Sequence, residues 1–256
     1  MKEKYFDING KNNIRCKIYC EEPRSIRDLK KIVIFFHGFG GHKDNKAAER
    51  FAQTIISKEK KTGVIVFDWP AHGDDIKKHI VLKDCDDYLS AVVEYVVNIM
   101  KIEDIYAYGI SFGAYMIMKY IYENTNPFKK IALRCPAIPM HEVMRDAILK
   151  EEDYYLLNKG KEAQVGFDIK VCINQAFLDD LITHDISKYD YLDYADDILI
   201  LHGLKDEIVP IEGVRNFCEN NVIEFIPVEN ADHRFCDLNA LNWANHTVME
   251  FLKENT

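Results

Sequence analysis

Short apolar runs alternate with helix-period segments along most of this chain, and that alternation leaves few architectures open. The runs Ile32 to Phe36, Gly63 to Asp68, Ile105 to Gly109 and Ile131 to Arg134 lack the polar alternation of a half-solvated strand. Between the first three and after the third lie segments of helical period, Ala47 to Lys58, Asp86 to Lys101 and Phe112 to Glu123. Strands apolar on both faces and separated by helices predict a parallel sheet covered on both sides, hence an α/β fold. Ahead of them, Lys4 to Ile8 and Ile14 to Cys20 flank Asn9-Gly10, a dipeptide suited to a tight hairpin turn, so an antiparallel hairpin is expected to open the sheet.

The alternation breaks at Cys135-Pro136 and returns with the strand Ile198 to His202, a helix from Pro210 to Glu219, the strand Val222 to Val228 and a helix from Leu238 to Lys253. The intervening stretch is helical, polar and rich in tyrosine, and it shows no buried strand. Residues 1–135 and 194–256 therefore read as the core, and 136–193 as a helical lid insertion, since long insertions tend to carry function.

At 256 residues the chain fits one domain with a single large core. Its net charge of −9 disfavours a grip on nucleic acid phosphates or anionic lipid, and the lysines at 58, 60, 61, 129 and 130 make only short basic runs. No stretch approaches the ~20 apolar residues that span a bilayer, and Met1 to Tyr5 contains no apolar leader. Seven scattered cysteines without a Cys-x-x-Cys pair suit a reducing compartment, so a cytoplasmic protein without nucleic acid or membrane partners is expected.

The chemistry centres on Gly109-Ile110-Ser111-Phe112-Gly113, which lies between an apolar strand and a helix. Glycines on both sides of Ser111 permit a strained turn and a close approach of strand and helix, the setting of an exposed nucleophile. A serine hydroxyl needs a base to take its proton and a third group to orient that base. Asp206, in the loop after Ile198 to His202, and His233, in the loop after Val222 to Val228, supply them in chain order. Both loops leave the carboxyl ends of parallel strands, where open α/β sheets place their sites. Glu207 and Asp232 are neighbouring carboxylates that compete for the acid's role, with less apt spacing. Donors for an oxyanion are expected from the backbone N–H groups of Phe39, in the loop Phe36-His37-Gly38-Phe39-Gly40-Gly41, and of Phe112. That loop contains neither a dinucleotide fingerprint nor a P-loop, and no cofactor is implied.

His37, Gly38, Trp69 and His72 are assigned to the substrate-facing wall, His37 chiefly as support beneath the oxyanion loop. The set His37, His42, His72 and His79 matches no standard zinc spacing, so no metal is expected.

With these residues in place the chain resembles the α/β-hydrolase superfamily over nearly its whole length. His37-Gly38-Phe39-Gly40-Gly41-His42-Lys43 is similar to small bacterial esterases of the cinnamoyl and feruloyl type. Asp68-Trp69-Pro70-Ala71-His72-Gly73 resembles the corresponding turn of those esterases and of monoacylglycerol-lipase-like and serine-aminopeptidase-like hydrolases. Ala71 stands where those relatives usually have Gly, and Asp74-Asp75 where a Ser usually follows. The resemblance implies a serine hydrolase acting on a small-molecule carboxylic ester, with aryl or cinnamoyl esters among the candidates. A peptidase or amidase and a thioesterase are the alternatives, and a non-catalytic binding protein on the same fold is the reading from another class.

Overall fold

The computed structural model describes residues 1–22, 26, 28–167 and 169–253. In chain order the strands and helices are β1 (Lys2–Ile8), β2 (Ile14–Cys20), β3 (Lys31–Phe36), α1 (Lys46–Lys58), β4 (Thr62–Phe67), α2 (Leu82–Glu94), β5 (Asp104–Ile110), α3 (Phe112–Glu123) and β6 (Ile131–Arg134). Then come α4 (Met140–Val143), α5 (Glu151–Asn158), β7 (Ala163–Val165), β8 (Val171–Ile173), α6 (Gln175–Thr183), β9 (Ile198–Gly203), α7 (Ile211–Asn221), β10 (Glu224–Val228) and α8 (Leu238–Phe251).

Eight strands form one sheet in the order β1-β2-β4-β3-β5-β6-β9-β10. The pairs β1/β2 and β2/β4 are antiparallel, and every pair from β4 to β10 is parallel. The apolar runs that predicted a doubly covered sheet are buried throughout β3, β4, β6 and β9. Side chains on one face join α2, α3 and α7 in a core that includes Ile34, Leu89, Ile117 and Phe217. Those on the other face pack on α1 and α8 through Phe35, Phe51, Tyr108 and Val248.

Several boundaries move. The opening hairpin pairs Ile8 with Ile14, so five residues connect the strands, and Gly10 is not in the positive-φ region that a two-residue Asn-Gly turn needs. The second helix begins at Leu82 rather than Asp86, because Leu82 and Cys85 already face the core, and it ends in a π-helical turn at Tyr95–Ile99. Val222 caps α7 in the left-handed region at φ 56°, which delays β10 to Glu224.

The stretch 136–193 is mostly helical, but it does contain a strand pair. β7 and β8 form an antiparallel hairpin, and β8 is fully buried. Three-residue strands are too short to show a period, so Val171–Ile173 was not distinguishable from a loop. The backbone N–H of Ile80 donates to the carbonyl of Cys172 at 3.0 Å, which ties the hairpin to the main body. Tyr115 Oη donates to the carbonyl of His184 and Tyr191 Oη to that of Met118, each at 3.0 Å. The segment thus shares one core with the sheet's α2/α3 face, to which Val143, Phe177 and Leu181 also belong. Among the described residues no helix is long and apolar enough to cross a membrane.

Candidate active site

Ser111 occupies the junction between β5 and α3 at φ 52°, ψ −114°, a strained conformation for a residue with a Cβ. The turn is held from three sides. Ser111 N–H donates to the carbonyl of Arg134 at 3.1 Å, and the Ser111 carbonyl accepts from Tyr115 N–H and Ala137 N–H. A Cβ added to Gly113 would lie 2.3 Å from the Phe36 carbonyl oxygen, and one on Gly109 would lie 2.8 Å from Ala114 Cα. Only glycine lets strand and helix close this tightly around the serine.

β9 and β10 deliver the other two groups. Asp206 Oδ1 accepts the backbone N–H of Ile208 at 2.9 Å and of Val209 at 2.8 Å. Its Oδ2 lies 2.8 Å from His233 Nδ1 and 3.2 Å from His202 Nε2. Burial opposes the charge on this carboxyl. Hydrogen bonds from His202 and His233, with the Val209 amide, overcome that cost and hold it well below the ordinary carboxylate range. Facing a carboxylate, His233 Nδ1 carries the proton, so Nε2 is the acceptor nitrogen of the neutral ring. The competing carboxylates are engaged elsewhere. Glu207 accepts the backbone N–H of His233 at 3.5 Å, and Asp232 accepts that of Cys236 at 2.9 Å.

Ser111 and His233 line one cavity of about 340 Å³ with His37, Gly38, Phe39, Phe167 and Ile169. A larger groove of about 690 Å³ between residues 7–12 and α2 has neither a nucleophile paired to a base nor any of these loops. At the cavity, Gly38 passes so close to the serine that a Cβ there would lie 3.3 Å from Ser111 Cβ. Gly41 N–H donates to the Gly38 carbonyl at 2.9 Å and closes the turn that carries Phe39. The Phe112 N–H is the first of α3 and has no acceptor within the helix.

Trp69 and His72 do not line this cavity. Trp69 is fully buried, its Nε1 donates to the His37 carbonyl at 3.0 Å, and its ring packs on Phe36, Phe67 and Phe112. His72 is buried with Nδ1 donating to the Pro70 carbonyl at 2.8 Å, and it sits behind Phe39 rather than in front of it. Burial pushes its imidazole down to about 4 and that of His37 to about 3. An aromatic before a turn gave no means of separating a wall residue from one that supports the wall.

The residues that sequence reasoning missed are His202, Cys135 and Arg134. His202 Nε2 is 3.1 Å from the Val209 carbonyl as well as near Asp206 Oδ2, so both its neighbours are acceptors and Nε2 bears the proton. Cys135 completes a cluster with His202 and Asp206 whose ligating atoms all lie within 4.8 Å of one another. Burial raises the Cys135 thiol well above its ordinary value. His202 Nε2 already faces Asp206 Oδ2 and the Val209 carbonyl, so these residues pack behind Asp206. The pattern Leu201-His202-Gly203 was the available signal for His202.

Residues 31–172 match the sequence profile of the alpha/beta hydrolase fold. The chain belongs to that family. No curated protein sequence matches it. Among solved structures it is similar to Est1E from Butyrivibrio proteoclasticus with ferulic acid bound, at 21% identity, 97% of each chain and a TM-score of 0.75. It is also similar to the esterase domain of a Rhodothermus marinus protein, at 17% identity, 98% of each chain and a TM-score of 0.70. A third likeness is to a Xanthomonas campestris α/β serine hydrolase without a lid, at 15% identity, 100% of this chain, 97% of the other and a TM-score of 0.64. For an α/β-hydrolase-fold chain, a cavity at the carboxyl edge of the sheet is the expected position of a site.

Proposed function

We propose that this chain is a serine hydrolase that cleaves small carboxylic esters through an acyl-enzyme on Ser111. The observation that carries the reading is the Asp206–His233 contact of 2.8 Å opening onto the same cavity as the strained Ser111. Ser111 Oγ attacks the carbonyl carbon while its proton passes to His233 Nε2. Asp206 keeps the imidazole in the required tautomer and offsets its charge. The oxyanion is received by the N–H groups of Phe39 and Phe112. The carbon–oxygen bond then breaks, and the alcohol leaves with the proton from His233. Water enters by the same route in reverse, giving the free acid and restoring the serine. No cofactor takes part.

The likeness to Est1E with ferulic acid bound, and the phenylalanines 39 and 167 in the cavity wall, favour aryl acyl groups among the esters. The stretch 136–193 serves as a fixed lid, since Ile148, Phe167 and Ile169 form part of that wall while Val143, Phe177 and Leu181 of the same stretch pack into the main core.

The test is Ser111→Ala in purified protein assayed on 4-nitrophenyl esters, together with fluorophosphonate labelling mapped by mass spectrometry. Turnover and label are both expected to depend on Ser111. Undiminished activity in the variant, or labelling at another residue, would sink the assignment.

A further inference from the structure

Arg134, the last residue of β6, is 3% exposed and lines the cavity beside Ser111. Strand alternation turns its side chain away from Ile131 and Leu133 and toward the face that holds Ala132 and Tyr108. Its backbone is fixed against the reacting serine, since its carbonyl accepts the Ser111 N–H and it pairs with Ile110 in the sheet.

The guanidinium is poorly compensated. Its Cζ lies 4.9 Å from the centre of the Phe235 ring, and its polar neighbour is the Tyr108 hydroxyl, yet Nε is left without an acceptor. Among the described residues no carboxylate forms an ion pair with it, and no Asp or Glu lines the cavity. A buried cation with one aromatic face and no anion is costly, because a ring cannot satisfy five N–H donors. A carboxylate can, through two parallel N–H···O bonds. The chain's net charge of −9 makes this a local exception to an acidic protein.

We propose that the substrate of this site carries a free carboxylate besides its ester and that Arg134 binds it; the inference rests on the Ser111 reading. Arg134 is then a specificity determinant for monoesters of dicarboxylic acids or for esters of carboxylated alcohols.

Two matched pairs test it. For the acyl side they are 4-nitrophenyl hydrogen adipate against 4-nitrophenyl hexanoate, and for the alcohol side 4-(carboxymethyl)phenyl acetate against 4-methylphenyl acetate. In at least one pair kcat/KM is expected to favour the charged ester by about 10- to 100-fold, as for a hydrogen-bonded charged group. Arg134→Met should abolish that preference while retaining turnover of the neutral ester, and Arg134→Lys should retain part of it. Adipate should slow fluorophosphonate labelling of the unmodified protein, and 1,6-hexanediol should not, a readout that needs no variant to fold. The proposal is overturned if labelled, ester-cleaving protein shows no preference in either pair, if the preference survives in Arg134→Met, or if adipate gives no protection. Absence of both labelling and ester cleavage would instead remove the Ser111 reading beneath it.

Discussion

Asp206 Oδ2 stands 2.8 Å from Nδ1 of His233, while the other oxygen of the same carboxylate is held by two backbone N–H groups. Neither residue can turn without breaking the other's geometry. The loop after β9 sets the acid through its own backbone, and the acid in turn sets the ring delivered by the loop after β10.

Asp206→Asn should therefore cost activity far more than fold. The side-chain amide has the carboxylate's shape, but its single oxygen cannot serve both the Ile208 and Val209 N–H groups and the two imidazoles. Its NH2 therefore faces His233 and favours the tautomer with the proton on Nε2, which cannot take one from Ser111. On the proposed chemistry kcat falls by about 10³- to 10⁴-fold. A steady-state assay with a thermal melt checks it, and a loss below tenfold would show that the acid does not orient the base.

Gly203→Ala tests the approach of the two loops. A Cβ there would lie 2.3 Å from the carbonyl oxygen of Ala231 and 3.0 Å from that of Asp232. Both atoms are backbone, so the loop carrying His233 must shift. Overpacking of this kind costs about 1–3 kcal/mol, and the displacement of His233 should lower kcat by more than the loss of folded protein explains. Gly213, where an added Cβ meets nothing within 4 Å, is the control, and Gly213→Ala should leave activity unchanged.

The contrast between Asp206 and Trp69 shows how far the residues alone could speak. The parallel strands, the turn at Ser111 and the position of Asp206 were legible because each goes with a buried apolar run, and such runs place their loops at one edge of the sheet. His233 follows the half-exposed edge strand β10 and was legible from chain order instead. Trp69 and His72 were not, because a turn residue's direction depends on which neighbour it packs against, here Phe36, Phe112 and the back of Phe39. Arg134 was hidden for a related reason. A terminal strand arginine looks solvated until the packing of Tyr108 and Phe235 around it is known. The hairpin β7–β8 lay below the length at which periodicity carries information.

Ala71 departs from the glycine usual in similar hydrolases, and its φ is 61°. Its N–H donates to Asp75 Oδ1 at 3.0 Å, and Asp75 also accepts from Lys77 N–H and Tyr88 Oη, so the second departure holds the first in place. A left-handed alanine costs about 1–2 kcal/mol, which the greater freedom of glycine in the unfolded chain offsets in part. Ala71→Gly should leave stability equal or raise it by up to about 1 kcal/mol. Chemical denaturation measures this, and a loss of 1 kcal/mol or more would show that the Ala71 methyl group contributes packing.

Acid should weaken the fold before it protonates most carboxylates. Burial lowers His72 to about 4 and His37 to about 3, and the two rings, 5.5 Å apart, disfavour charge on His37 further. A lowered histidine is neutral in the folded chain and takes up a proton near pH 6.5 once unfolded. The unfolded state therefore binds more protons below pH 6.5, and stability falls as pH drops from there toward 4. At about 1.4 kcal/mol per pH unit for each such group, His72 alone contributes a loss of about 3 kcal/mol by pH 4. The depressed carboxyl of Asp206 adds its own loss only below about pH 4, where the unfolded carboxyl begins to protonate. Urea midpoints measured from pH 7.5 to 4.5 should decline steadily, and His72→Asn, whose amide can still donate to the Pro70 carbonyl, should flatten the decline. A midpoint unchanged between pH 7 and 5, or an equal slope in the variant, would mean that these imidazoles are not held neutral by burial.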